Sequence, residues 1–491
     1  MFANKTTNLS LAFLLVGVIS FIFADLSIST LHPFLETGKF FGSIVNINFN
    51  NADYVIEALL NTITIAIISI AISAVLGFFF AIVFKNLVIR IGLAFTRAIH
   101  ELFWALIFLQ IFGLNTLSAV LAIIIPYSAI LGKVYAEILE ENDHFPEELR
   151  GRDRVSYFLY TLLPDAFPHI VAYTLYRFEC ALRSTAILGF VGITTLGYHL
   201  SSFFMQGYYE DVWLILILFY IVIATIKYWF NKYTFIPAII ASFVYVKEWG
   251  ELNMDNLIRF FTSDIVPAPF KHDYTIERTT QWFSNLFFDE IMVGVFNTIV
   301  LTQLALVLTA IFALVFFPIV SKKFAKIPFI GHIFLVVLRS TPEYILAYIF
   351  LQLFGPSMLP AALALMLHNG AIISFLIGNQ SNKMILRQDS TKRKIELYFY
   401  EVLPRIYSQF LAFLFYRWEI IMRESAILGI LGVATLGFFI DSAIADFRLD
   451  KMFLLLIVTA LLNIAIDLIS KKSRDYLKVD KPTSSCGCSL K

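Results

Sequence analysis

The sequence contains one long segment twice. Residues 160–200 align without a gap with residues 400–440, and 16 of the 41 aligned positions are identical at a constant offset of 240. Both copies carry Leu-Pro, Tyr-Arg-x-Glu, Arg, Ala-Ile-Leu-Gly and Thr-Leu-Gly in the same order. Such a duplication within apolar sequence predicts two equivalent halves around a pseudo-two-fold axis, an arrangement typical of transporters.

The composition excludes a water-soluble globular domain. The chain has 491 residues, of which 59% are hydrophobic, 15% are charged and 51 are Phe, and its mean hydropathy is +0.78. A surface that apolar is stable only in a bilayer, where helices satisfy their own backbone groups. We therefore predict an all-α, polytopic membrane protein, and the sequence has no basic tract suited to nucleic acid.

Apolar stretches of about 20 residues indicate the membrane spans. We expect about twelve, six per half, at roughly 9–25, 56–84, 98–113, 116–138, 166–190, 212–230, 234–247, 291–318, 329–354, 358–378, 406–430 and 452–470. An even number of spans between the copies predicts repeats of parallel topology, related by an axis along the membrane normal. The expected domains are a first repeat at 1–232, a second repeat at 233–470 and a tail at 471–491.

Basic residues set the orientation. Lys and Arg cluster at 85–97, 150–154, 227–232, 322–326, 383–394 and in the tail, whereas the segment 191–211 has none. The long stretch 248–290 is predominantly acidic. By the positive-inside rule, both termini and the charged loops 139–163 and 380–403 are cytoplasmic, and 248–290 is an outer loop.

Several motifs are absent. The sequence has no phosphate-binding G-x-x-x-x-G-K-[ST] loop, no H-E-x-x-H, no G-x-S-x-G and no His/Cys cluster with metal-ligand spacing. Its three cysteines, Cys180, Cys486 and Cys488, form no disulfide framework. We expect no metal or cofactor in this chain and no enzymatic activity, so any ATP hydrolysis belongs to another subunit.

The two cytoplasmic loops occupy matched positions and each ends at a Leu-Pro pair. One such loop is most simply a solvated connection, but its duplication favours a short helix that inserts into a partner protein. The candidate docking residues are Glu147, Glu148, Gly151 and Pro164 in the first half, and Thr391 and Pro404 in the second.

These motifs together are similar to the signature of the phosphonate-type permease family. The matching residues are Tyr176-Arg177-x-Glu179-x-x-x-Arg183-x-x-Ala186-Ile-Leu-Gly189-x-x-Gly192-x-x-x-Leu196-Gly197 and the copy from Tyr416 to Gly437, with Gly151, Pro164, Glu101 and Ala105-Leu106 outside the signature. The resemblance covers about 85–230 and again about 325–470. The second copy departs from the pattern, because its loop has no glycine and reads Ser390-Thr391-Lys392.

The resemblance implies a membrane subunit of a binding-protein-dependent ABC importer with the type I permease fold. Family members usually carry one unit per chain, and here two are fused. It also implies the partners: two copies of a cytosolic ABC ATPase that bind Mg-ATP, an extracytoplasmic substrate-binding protein, and a phosphonate-like anion. The location it implies is the bacterial inner membrane.

Charged residues inside the apolar segments are the candidate substrate path. Glu179 and Arg183 are four residues apart, so they share a helix face and can neutralise each other. An Arg at the bilayer centre costs about 2.5–3.5 kcal/mol on insertion scales, which requires a partner or a water-filled cavity. The charges are either ion pairs that pack helices or arginines that bind an oxyanion. The full set is Arg177, Glu179, Arg183, Arg417, Glu419 and Arg423.

Glycines follow these charges in both copies. Their spacing predicts that a helix ends, turns and is followed by a second segment near the outer face, because glycine tolerates positive φ and close backbone approach. Tight helix packing explains the same residues equally well. The candidate gate or turn glycines are Gly189, Gly192, Gly197, Gly429, Gly432 and Gly437.

Three other interpretations remain open at the level of sequence. Fused ABC permeases for ferric iron or thiamine share the architecture, although the Tyr-Arg-x-Glu and Arg pattern argues against them. A secondary transporter with twelve spans needs no ATPase, and the duplicated charged loop disfavours it. An intramembrane enzyme or channel would need paired catalytic residues or a selectivity repeat.

Overall fold

The structure is a computed structural model that describes residues 5–30, 32–143, 154–231, 233–246, 248–271, 275–387 and 393–477. Every regular element in these ranges is helical. The predicted all-α class is therefore confirmed.

Ten α-helices of the described part of the chain precede the predicted repeat boundary. They are α1 (Lys5–Phe23), α2 (Pro33–Gly42), α3 (Ala52–Val83), α4 (Leu87–Ala98), α5 (Glu101–Phe112), α6 (Thr116–Glu141), α7 (Arg154–Tyr157), α8 (Leu163–Leu188), α9 (Leu196–Met205) and α10 (Tyr209–Trp229).

Eleven helices follow that boundary within the described ranges. They are α11 (Phe235–Tyr245), α12 (Met254–Arg259), α13 (Ile276–Asn285), α14 (Met292–Phe316), α15 (Pro328–Ser340), α16 (Glu343–Phe354), α17 (Met358–Lys383), α18 (Lys394–Glu396), α19 (Leu403–Ile430), α20 (Leu436–Ala445) and α21 (Leu449–Tyr476).

Matched turn residues connect matched helices in the two halves. Gly113 and Gly355 end α5 and α16 with φ of +80° and +89°, a conformation that glycine adopts without strain. The side chain of Asn115 then accepts from Ser118 N–H at the start of α6, and Ser357 accepts from the N–H of Leu359 at the start of α17. The following helices, α6 and α17, are both 26 residues long.

Within the described residues, seven helices are long and apolar enough to cross a membrane, and there are ten candidate spans if each of three bent helix pairs counts as one. The short apolar helix α11 and the 28-residue helix α19 account for the other predicted spans. Helix α19 differs from the other spans in carrying several charged residues. The structure thus has a helix at each of the twelve predicted spans and is roughly consistent with that count.

One predicted span is not a single straight helix. The segment 329–354 consists of α15 and α16, which meet at a bend of 87°. In the first half α4 and α5 meet at a bend of 91°, and the predicted span 98–113 corresponds to α5 alone. In the second half the cause is Pro342, which lacks a backbone N–H and holds the preceding Thr341 in an extended conformation with ψ of 119°. In the first half Ile99 is extended with ψ of 130° and His100 caps α5.

The chain divides into two compact units that differ from the sequence repeats. One unit comprises residues 38–265, and the other comprises residues 1–37 and 266–491. Within the second unit α1 packs against α14, with Gly17 directly against Val307. Within the first unit α11 packs against α3. Helix α1, the first helix of the first repeat, therefore belongs to the unit that consists mainly of second-repeat residues, and α11, the first helix of the second repeat, belongs to the unit that consists mainly of first-repeat residues. The repeat boundary near residue 232 stays a prediction.

An Asn-Thr pair holds the short helix after the glycine turn in each half. In the first half the Thr62 hydroxyl accepts from the N–H of Leu196 at 3.0 Å, and Asn61 donates to the carbonyl of Thr194 at 3.2 Å. Thr298 accepts from the N–H of Leu436 at 3.1 Å in the same way. Both threonines are buried, so each satisfies an N–H at a helix start that water does not reach.

Replacing Thr298 with valine is expected to lower the free energy of unfolding by about 1–2 kcal/mol, because it leaves the Leu436 N–H buried without its acceptor while keeping the side-chain shape. Thr62→Val should have the same effect. The measurement is thermal unfolding of the purified protein in detergent. Thr225→Val is the control, since the Thr225 hydroxyl bonds only carbonyls of its own helix, and an equal loss there would contradict the capping role.

Candidate functional site

The charged residues of the first repeat lie on α8. Arg183 Nη2 donates to Glu179 Oε1 at 2.8 Å, and the two side chains are 18% and 29% exposed. The expected ion pair is present, because a spacing of four places both side chains on one face of the helix. It lies inside a segment that, together with α9, is long and apolar enough to cross a membrane.

Arg177 has different partners from Arg183. Its Nε donates to Tyr173 Oη at 2.9 Å, and its guanidinium lies 5.3 Å from the ring centroid of Tyr173 and 5.8 Å from that of Tyr176. The aromatic faces contribute a cation–π attraction that stabilises a guanidinium away from bulk water. Arg177 is thus held by aromatic groups of its own helix.

The second repeat places its charges on α19. Arg417 Nη1 donates to Asn369 Oδ1 on α17 at 3.3 Å. Glu419 and Arg423 occupy the positions equivalent to Glu179 and Arg183, and both are half-buried. With Arg405 and Glu424, α19 carries five charged residues in 28 positions. This charge density is costly in a lipid-facing helix and is typical of a helix that lines protein or water.

The glycines form the same turn in both halves. Gly192 and Gly432 have φ of +99° and +90°, as the predicted turns require. A Cβ on Gly197 would lie 1.8 Å from the carbonyl oxygen of Ala186, and one on Gly437 would lie 1.8 Å from that of Ala426. The backbones of α8 and α9, and of α19 and α20, therefore touch directly. Whether these turns gate a pathway remains a prediction.

The second half also contains a polar cluster that sequence reasoning missed. Glu343 from α16, His368 from α17 and Glu424 from α19 place one ligand atom each within 4.8 Å of one another. Glu343 is 7% exposed and His368 is 3% exposed. No sequence motif shows this cluster, because its members are far apart along the chain and meet only when three helices pack.

The equivalent place in the first half has a different chemistry. The Ser184 hydroxyl donates to Glu101 Oε1, and Tyr127 Oη lies 2.9 Å from Ser184 Oγ. His100 Nε2 lies 3.4 Å from Glu101 Oε2. A single carboxylate here is surrounded by groups that can donate hydrogen bonds.

Four of the six predicted docking residues, Glu147, Glu148, Gly151 and Thr391, lie outside the described residues. Pro164 and Pro404 are each the second residue of a long helix, α8 and α19. A π-helical turn precedes each of them, at Phe158–Leu162 and Leu397–Val402. The Leu-Pro pairs therefore mark the same junction in both halves, at the ends of the charged loops.

A side-chain network holds the described start of the second loop. Glu401, which is 9% exposed, accepts from the backbone N–H of Arg387 at 2.7 Å, and Arg405 Nη1 lies 3.4 Å from the same carboxylate oxygen. Arg405 also donates to the carbonyl of Ile385 at 3.0 Å. The loop leaving α17 is thereby tied to the turn that enters α19.

Lys323 anchors the same loop from the segment before α15. Its Nζ donates to the carbonyl of Met384 at 2.7 Å and to the carbonyl of Ser381. Burial, together with the charge of Arg405, lowers the pKa of the Lys323 ammonium below its ordinary value. The loop is thus held by hydrogen bonds although its sequence is rich in basic residues.

Known permeases resemble this chain over different lengths. It is 23% identical over 420 residues to the phosphate-import permease protein PhnE of Mycolicibacterium smegmatis, which covers 79% of this chain and 78% of that protein. It is 34% identical over 105 residues to the phosphite transport system permease protein HtxC of Stutzerimonas stutzeri, covering 21% of this chain and 37% of that one.

A third relative is the phosphite transport system permease protein PtxC of Stutzerimonas stutzeri, with 29% identity over 133 residues, 26% of this chain and 48% of that protein. The chain thus spans less than half the length of these two phosphite permeases. No protein-family model and no solved structure matches it.

Proposed function

We propose that this chain, which is similar to phosphate and phosphite permeases, is a permease of an ABC importer and carries a phosphorus oxyanion across the bacterial inner membrane. It is a multi-pass membrane protein, and it resembles PhnE over most of its length. The chain contributes both permease units, so one polypeptide would supply the two halves of the pathway.

The observation that carries the proposal is the half-buried Glu179–Arg183 pair inside a span, whose two residue types recur at Glu419 and Arg423. A guanidinium offers two parallel N–H donors that match the oxygens of a phosphonate or phosphate. The glutamate compensates the arginine when no anion is present and competes with a bound anion, which keeps binding weak enough for release.

The energy source would be a pair of cytosolic ABC ATPases that bind Mg-ATP. The sequence has no phosphate-binding loop of its own, and its two charged loops end at equivalent Leu-Pro junctions. An extracytoplasmic binding protein would deliver the anion to the outer side. With both termini cytoplasmic, the ATPases and the loops lie on the same side of the membrane.

The test is to reconstitute the chain with its co-purifying ATPase in liposomes and to measure uptake of labelled phosphonate, phosphite and phosphate. ATP-dependent uptake of at least one of these anions, stimulated by the binding protein, is the expected result. Uptake that needs only a proton gradient would instead identify a secondary transporter. ATP-dependent uptake of ferric iron or thiamine, with none of the three anions, would refute the substrate assignment.

A further inference from the structure

The internal repeat allows the surroundings of one buried glutamate to be compared between the two halves. In the first half, Glu101 lies next to two donors, the hydroxyl of Ser184 and Nε2 of His100. The other ring nitrogen, His100 Nδ1, accepts from the N–H of Leu102 at 3.2 Å, so the neutral ring carries its hydrogen on Nε2, which lies 3.4 Å from Glu101 Oε2. The carboxylate of Glu101 is therefore satisfied by hydrogen bonds.

In the second half, the same two places offer acceptors instead of donors. Glu343 is the counterpart of Glu101, and the gapless alignment puts Glu424 where the first half has Ser184. An ionised carboxylate has no hydrogen to donate. The hydroxyl of the first half is thus replaced by a second negative charge.

The histidine of the second half has the opposite tautomer from that of the first half. Pro342 replaces His100, and the imidazole comes instead from His368 on α17. His368 Nδ1 lies 2.8 Å from the carbonyl oxygen of Thr341, which can only accept, so Nδ1 carries the hydrogen. In the neutral ring Nε2 then has a lone pair, and it lies 3.8 Å from Glu343 Oε2.

Three electron-pair donors from three helices therefore converge in a buried space. Their ligand atoms all lie within 4.8 Å of one another, while Glu343 and His368 are nearly inaccessible to solvent. Two carboxylates so close together repel strongly unless a positive charge lies between them. We propose that Glu343, His368 and Glu424 bind a divalent transition-metal ion of the Zn²⁺ class.

The ligand types and their surroundings fit such an ion. Imidazole nitrogen and carboxylate oxygen are common zinc ligands, and three protein ligands leave one position for water. A metal-binding histidine normally donates its other N–H to a backbone carbonyl, as His368 does to Thr341. Ligating carboxylates are likewise hydrogen-bonded, and Asn369 Nδ2 donates to Glu424 Oε2 at 3.1 Å.

A metal ion at this site would also affect Arg417, one of the candidate substrate-path residues. Asn369 accepts from Arg417 through its other side-chain atom, Oδ1, at 3.3 Å, so one amide connects Glu424 with Arg417. A bound ion would hold Glu424, Asn369 and Arg417 in a fixed arrangement. It would also bring α16, α17 and α19 together beside the bend at Thr341.

The test uses the full chain, purified in detergent and stripped of metal. Calorimetric titration with Zn²⁺ is expected to give one site per chain, and Co²⁺ should produce visible absorption bands of a protein-bound ion. Glu424→Ser introduces the residue that the first half already has, so it should fold, and it is expected to weaken binding at least 10-fold. His368→Gln, which is close in size, should weaken binding to the same degree.

His100→Ala is the matched control, because His100 lies at the equivalent carboxylate but its Nδ1 accepts a backbone hydrogen bond. It should leave the affinity for Zn²⁺ unchanged. The proposal would be overturned if His100→Ala weakened Zn²⁺ binding as much as Glu424→Ser does. It would also be overturned if Co²⁺ gave the spectrum of the free hydrated ion with the unmodified protein and with every variant. That second result would mean that the cluster holds a shared proton and no metal ion. A monodisperse elution profile of each variant excludes unfolding as the cause.

Discussion

Replacing Gly197 with alanine is expected to destabilise the protein by about 3 kcal/mol or more, at the upper end of the cost of overpacking a core. The added Cβ would lie 1.8 Å from the carbonyl oxygen of Ala186 and 2.9 Å from its carbonyl carbon. Both are backbone atoms of α8, so no side-chain rotation relieves the clash and the two helices must separate. Gly437→Ala should be equally harmful, because its Cβ would meet the carbonyl oxygen of Ala426 at the same distance.

The measurement is the apparent melting temperature and the yield of folded protein in detergent. We expect a decrease on the order of 5–10 °C for each variant. Gly92→Ala is the control, since Gly92 lies within helix α4 and, beyond the backbone of its own helix, no described atom lies within 4 Å of the Cβ position. An unchanged melting temperature for both Gly197→Ala and Gly437→Ala would show that these helices do not touch through their backbones.

Removing Arg183 is expected to reduce anion uptake at least 10-fold while the protein stays folded. The guanidinium is the group that offers paired donors to an oxyanion, and its loss also leaves Glu179 as an uncompensated charge in the span. Arg183→Lys keeps the charge but loses the planar pair of donors, so it should recover only part of the uptake. Uptake is measured in liposomes that contain the chain and its ATPase.

A double-mutant cycle separates an anion-binding role from a packing role. If the ion pair only stabilises α8, the variant that carries both Glu179→Ala and Arg183→Ala should recover uptake, because no unpaired charge remains. If Arg183 binds the anion, the double variant should stay as inactive as Arg183→Ala. Recovery of full uptake in the double variant would therefore remove Arg183 from the path.

Two further variants, one in the second repeat and one at an exposed position, serve as comparisons for Arg183→Ala. Arg423→Ala should resemble Arg183→Ala, because Arg423 has the equivalent position on α19. Arg278→Ala should transport normally, since Arg278 is exposed on the short helix α13. Loss of uptake in Arg278→Ala would indicate a general effect of removing positive charge.

Local pattern predicted much of this fold correctly. Apolar length located the spans, and the spacing of Glu179 and Arg183 predicted an ion pair that the structure contains. The glycines at 192 and 432 predicted turns that have positive φ. Each of these features depends on residues close together in the chain, so the sequence contains enough information to predict it.

Other features were not predicted from the sequence. The segment 329–354 was expected to be one straight helix, and it contains a bend of 87° next to Pro342. Thr62 accepts from the N–H of Leu196, which lies 134 positions further along the chain, so no local pattern predicts this contact. The cluster of Glu343, His368 and Glu424 has members separated by 25 and 56 positions, which no local motif describes.

The sequence by itself determined that the protein is helical, that it belongs in a bilayer and that it contains one segment twice. These properties follow from composition, apolar length and internal identity. Only the tertiary structure decided that α1 lies in the unit built mainly by the second repeat, and that buried carboxylates meet donors in one half and acceptors in the other. The reason is that such contacts join side chains of different helices, and helix packing rather than chain order sets which of them touch.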